Sequence, residues 1–121
     1  MKVSFNYKGN KMGLDVKNCN SFGKFFGLMF VSKKNAKALL FDFDKPVKIN
    51  IHSCFVFFPF VGVFLDSKNN VLDLKVIKPW KLFVTSKKPF CRLIEIPINE
   101  RYRGVVEGLS ARNKNYLYNK K

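Results

Sequence analysis

Acidic residues are scarce in this chain of 121. Asp and Glu number 8 against 23 Lys and Arg, a formal net charge of +15. A balance so far from zero is self-repelling until a polyanion neutralises it. Lysine outnumbers arginine, as A/T-rich coding would give, but such drift does not explain why only Glu95, Glu100 and Glu107 represent glutamate. Histidine is rarer still: His52 stands alone. The cysteines, Cys19, Cys54 and Cys91, are odd in number and widely scattered, with no C-x-x-C pair. That excludes a structural zinc site and a disulfide framework, and predicts reduced thiols in a cytoplasmic protein. Long apolar runs are lacking as well. The richest, from Ser53 to Leu65, is broken by Pro59 and Gly62 and is too short for a membrane-spanning helix. The first residues alternate and carry no signal-peptide core. No phosphate-cradling glycine loop, nucleophile elbow or metal-ligand cluster is visible, so no cofactor and no metal are expected.

Hydrophobic and aromatic residues are abundant, at 47% and 16%, with 14 phenylalanines. A chain of this size can therefore build one core without staples. Most of it has period two. Val3, Phe5 and Tyr7, then Met12, Leu14 and Val16, read as a hairpin about a turn at Gly9-Asn10. Phe22, Phe25, Phe26 and Met29 suit one face of a short helix packed on a sheet. Leu39 to Phe43, a turn at Asp44-Lys45-Pro46, and a half-exposed strand Val47 to Ile51 come next. Cys54–Phe58 and Phe60–Leu65 are apolar on both faces and read as central strands. Asp66 to Asn70 is a hairpin turn into Val71–Val76, and Cys91–Ile96 is the last strand. The expected fold is mainly β: a single-domain antiparallel β-sandwich or partly open barrel with one or two short helical segments. It spans residues 1–110, followed by a basic tail, 111–121. The predicted core is Phe41, Phe55, Phe57, Phe60, Phe64, Leu65, Leu72, Leu74, Leu93 and Ile94.

Chemistry-bearing residues are few. His52 has no local carboxylate to orient it, and Asp42 and Asp44 suit a turn better than acid–base work. Glu95 shares a strand face with Cys91 and Leu93, so it is expected to be partly buried and ion-paired. Candidate polyanion contacts are Lys33, Lys34, Lys37, Lys87, Lys88 and, in the tail, Arg112, Lys114, Lys120 and Lys121. Candidate aromatic contacts are Trp80, Tyr102, Tyr116 and Tyr118.

Gly27-Leu28-Met29-Phe30, Ala38-Leu39-Leu40-Phe41, Phe55-Val56-Phe57-Phe58-Pro59 running to Phe64-Leu65-Asp66, and Ile94-Glu95-Ile96-Pro97 carry a resemblance. Together they resemble the domain-of-unknown-function 192 family, also called uncharacterised protein family 0127. The F-V-F-F-P segment and the Lys78-Pro79-Trp80 loop are similar to its archaeal branch. The resemblance covers residues 12 to 110 and implies a compact β-rich domain without an established reaction. Ser53 or Cys54 stands where the family has Met, Val61 replaces an Asp, Asn99 takes the place of a Gly after the late Pro, and Gly108-Leu109 stands where the family has Gly-Asp.

The leading functional expectation is a non-enzymatic basic binding domain for RNA or a ribonucleoprotein such as the ribosome. One alternative is a small-ligand or carbohydrate-type module in which Trp80, Tyr102 and Phe83 converge on a pocket. The other is an enzyme using Glu95 and His52. Oligomeric state is not readable from the sequence.

Overall fold

The computed structural model describes residues 1–19, 28–29 and 31–112, the last two in backbone only. It is mainly β, in two sheets with no closed barrel. Strands β1 (Lys2–Tyr7) and β2 (Asn10–Asp15) form an antiparallel hairpin. Its turn falls at Lys8-Gly9, one residue earlier than expected. Both residues have positive φ, 49° and 81°, and glycine meets the second without strain.

The five-stranded sheet has the order β3-β4-β7-β5-β6. Its members are β3 (Lys17–Cys19), β4 (Leu39–Val47), β5 (Phe60–Leu65), β6 (Val71–Ile77) and β7 (Phe90–Pro97). Only β3 runs parallel to its neighbour β4. All six residues of β5 are buried, as the two-sided apolar pattern predicts for a central strand. A Cβ at Gly62 would fall 2.9 Å from Ile77 Cδ1, so the end of that side chain would have to shift to admit any other residue.

Each face of this sheet has its own core. On one, Ala38, Leu40, Val61, Val63, Ile94 and Ile96 pack against the hairpin's Phe5, Tyr7, Leu14 and Val16 and against a C-terminal helix. That helix, α1 (Arg103–Arg112), follows a 3-10 turn at Glu100–Tyr102 and buries Val106 and Leu109. Asn99, which stands where the resembled family has a glycine, is not left-handed. It is extended, and its Oδ1 accepts from the Tyr102 amide at 3.3 Å while Nδ2 donates to the Lys33 and Ala36 carbonyls.

The other face buries Leu39, Phe41, Phe60, Phe64, Phe90 and Leu93. Two long crossings cover it, residues 48–59 and 78–89, joined by reciprocal backbone bonds between Ile51 and Val84 (2.7 and 2.9 Å). Three sequence expectations fail in and just before the first crossing. The half-exposed strand Val47 to Ile51 is not formed, since β4 ends at Val47 and Ile51 makes only an isolated bridge to Val84. β4 continues through Asp44-Lys45-Pro46 by a register shift, so no turn forms there. Cys54–Phe58 is a loop rather than a strand, and it buries Val56 and Phe58 while Phe55 and Phe57 face solvent. Leu72 is only half-buried, and the other seven predicted core residues are buried. Of the expected phenylalanine-rich helix, Phe22, Phe25 and Phe26 lie outside the described residues, whereas Leu28 is buried and Met29 packs at the edge of this second core.

Candidate aromatic and basic surface

Ser53 organises the surface above the second core. It is fully buried; its hydroxyl donates to the Lys78 carbonyl at 2.6 Å and accepts from the Lys81 amide at 2.8 Å. Its backbone adds three bonds, donating to the Lys81 carbonyl and accepting from the Trp80 and Val56 amides. A buried hydroxyl with both roles filled is the stable arrangement for such a group. It welds one crossing to the other.

The weld presents a cluster of rings. Phe55 and Trp80 both adopt left-handed backbone, φ 61° and 63°, where bulky side chains are rare and strained. Their rings meet edge to face at 4.9 Å, and Phe57 meets Trp80 at 6.0 Å. Yet Phe57 is 60% and Trp80 52% exposed, with Leu82 and Phe83 exposed alongside. Lys78 and Lys81 flank Trp80, both exposed, and neither crossing contains an Asp or Glu.

Topology sorts the predicted lysines into two groups. β4 begins opposite Glu95 and ends opposite Phe90. Lys33, Lys34 and Lys37 precede β4, whereas Lys87 and Lys88 precede β7, so they sit at opposite ends of the sheet, about 25 Å apart by strand rise. They therefore make two groups along the sheet. The first group shares its sheet end with the ring cluster: β5 starts opposite Pro97, β6 ends opposite Phe60, and Ile98 donates to the Pro59 carbonyl. Lys37 also joins Lys17 and Arg101, which sequence reasoning missed, around a cleft of about 650 Å³. Arg112 ends α1, and Lys114, Tyr116, Tyr118, Lys120 and Lys121 lie outside the described residues.

Tyr102 is not a surface contact. It is buried against the first core, and its hydroxyl accepts from the Ala38 amide at 2.7 Å. Trp80, Tyr102 and Phe83 therefore do not converge on a pocket.

The acids are mostly engaged. Asp42 pairs with Arg92 and Asp73 with Lys75, while Glu100 and Glu107 both pair with Arg103. Desolvation pulls the Asp66 carboxyl up, but the Asn70 and Lys68 amides and the Asn70 side chain that donate to it together hold it below the usual range. Asp15 and Asp44 are exposed and form no ion pair with a described residue, and Asp15 lines the same cleft as Lys17, Lys37 and Arg101.

Glu95 is the exception among them. It is buried on β7 between Leu39 and Gly62, and no described residue pairs with it, contrary to the ion pair expected. Burial pushes its carboxyl up to about 8. Burial raises the Cys19 thiol as well, with the Glu95 charge adding to the effect. His52 is exposed on the first crossing, its Nδ1 accepting from the Cys54 amide of the same loop. No contact among the described residues brings His52 to Glu95. Nor is there a group of three or more metal-ligating side chains, or a helix long and apolar enough to cross a membrane.

No protein-family profile matches the chain. Two solved structures share its fold: a conjectural transcription regulator of Sinorhizobium meliloti (TM-score 0.71, 18% identity, 90% of this chain and 84% of that one) and a protein of unknown function from Novosphingobium aromaticivorans (0.69, 16%, 92% and 76%). In sequence, a UPF0127 protein of Thermococcus kodakarensis is 36% identical over 94 residues, 75% of this chain and 59% of its own length. One from Pyrococcus furiosus is 31% identical over 104 residues, 85% of this chain and 84% of its own length. With that extent of shared sequence, as the motifs around Phe41, Phe58 and Glu95 led one to expect, the chain belongs to the uncharacterised UPF0127 family.

Proposed function

We propose that this protein is a non-enzymatic binding domain for a polyanion, RNA or a ribonucleoprotein, acting in the cytoplasm. One observation carries the reading: the surface lysines are left over. Among the described residues Lys75, Arg92 and Arg103 stand in ion pairs, and they occupy Asp42, Asp73, Glu100 and Glu107 between them. The side-chain ammonium groups of Lys33, Lys34, Lys78, Lys81, Lys87 and Lys88 form no ion pair with a described carboxylate, although the Lys87 backbone amide donates to Asp73. Such a surface gains most from a ligand that brings phosphates and releases their condensed counterions. The enzyme alternative has less support, since His52 and Glu95 belong to separate environments. The three unpaired thiols suit a reducing compartment.

The test is anisotropy of a labelled single-stranded RNA at stepped salt concentrations. Binding that weakens steeply with salt supports the reading. Absence of binding at low salt, or binding indifferent to salt, overturns it.

A further inference from the structure

We propose that the Phe55–Trp80–Phe57 cluster is a stacking platform for unpaired nucleobases, the place where a single strand is held by its bases as well as its phosphates. This rests on the polyanion reading above and names the part of the ligand that meets the rings.

Three independent features converge there. The rings are large, apolar and solvent-facing, where an ordinary surface would carry polar side chains. Phe55 and Trp80 are held at φ 61° and 63°, a conformation that persists only where the surroundings over-determine it. Those surroundings are the Ser53 bonds to Lys78, Trp80 and Lys81, which fix the loop that carries the indole. Finally, Lys78 and Lys81 bracket Trp80 on acid-free loops, so phosphates on either side of a stacked base meet cations. A lipid surface would also accept aromatics beside lysines. But an acyl layer is fluid and asks for area alone, whereas a stacked base needs a ring plane held in place. The left-handed backbone and the buried serine supply that.

Trp80 is the only tryptophan, so its emission reports this site alone. The experiment titrates the full chain with oligouridylate, with heparin, which has charge but no bases, and with phosphatidylserine-containing vesicles. Oligouridylate should quench Trp80 and heparin should bind with little quenching. Trp80→Ala and Phe57→Ala should each weaken oligouridylate binding about 5- to 100-fold, the range for losing one stacked base, and leave heparin unchanged. Both rings are exposed, so circular dichroism should show both variants folded. Salt-dependent oligouridylate binding with unchanged Trp80 emission overturns the platform while the polyanion reading stands. Equal losses for heparin and oligouridylate in the variants overturn it too. Vesicles shifting the emission where oligouridylate does not would make the cluster a membrane contact. If neither oligouridylate nor heparin binds, the polyanion reading falls and takes the platform with it.

Discussion

Glu95 stands in the middle of the sheet as a carboxyl group removed from water. Below its ordinary value of 4.5 it is protonated both folded and unfolded. Between there and about 8 the unfolded chain ionises it while the native state keeps it neutral. The unfolded state therefore binds fewer protons, and stability falls with rising pH by up to about 1.4 kcal/mol per unit from this group. Its neighbour Cys19 stays protonated across that window, since its thiol is raised from 9.0. Urea denaturation of the wild type and Glu95→Gln at pH 5 and pH 8 checks this. The wild type should lose stability between the two, and the variant should lose markedly less. Parallel profiles would show that Glu95 is ionised in the folded protein. A second comparison separates two neighbours in the chain. Phe58→Ala empties a fully buried site and should cost about 3–5 kcal/mol, whereas Phe57→Ala should cost less than about 1 kcal/mol. These two were indistinguishable in the sequence. An apolar pentapeptide reads as a two-sided strand, and only the crossing geometry, with Phe55 in left-handed backbone, turns Phe57 outward.

At the scale of elements, the crossings deserve comparison with the strands. β1, β2, β5, β6 and β7 were legible because alternation or continuous apolarity specifies the register of each against a core face. The crossings were not, because hydrogen bonds between distant backbones build them, and Ser53 announces nothing by its identity. Helix α1 was missed for a different reason. Tyr102, Val105, Val106 and Leu109 recur at helical spacing, but Gly104 and Gly108 dilute the propensity, and the signal went unused. The prediction at this scale is that Ser53→Ala unpins the second crossing. The Lys78 carbonyl and the Lys81 amide both lose a buried partner, a cost of about 1–3 kcal/mol. Amide exchange at Lys81 and Val84 should speed up, while β5 and β7 keep their protection. Unchanged exchange at Lys81 would show that the backbone bonds of Ser53 and those between Ile51 and Val84 hold the crossings together without the hydroxyl.

For the whole molecule, charge sets the behaviour and topology decides where it acts. Sequence gave the excess of cations; it could not show that β4 separates Lys33 and Lys34 from Lys87 and Lys88, since that depends on which strand lies beside which. A strand seated on the ring platform should track the sheet end carrying Lys33, Lys34, Lys78 and Lys81 and miss the opposite end. On single strands each phosphate contact contributes about −0.7 to the slope of log affinity against log salt. Lys78→Gln with Lys81→Gln should therefore flatten the slope by up to about 1.4, and so should Lys33→Gln with Lys34→Gln if the strand extends that far. Lys87→Gln with Lys88→Gln should leave it nearly unchanged. A chain ended at Arg112 loses Lys114, Lys120 and Lys121 and should flatten the slope by up to about 2 if the tail joins the strand. Base sequence should matter little, because lysines meet phosphates and rings stack on any base. Equal flattening from both sheet ends would mean that the charge acts as a diffuse field with no track. A slope untouched by any of these changes would leave the lysines without the role assigned to them.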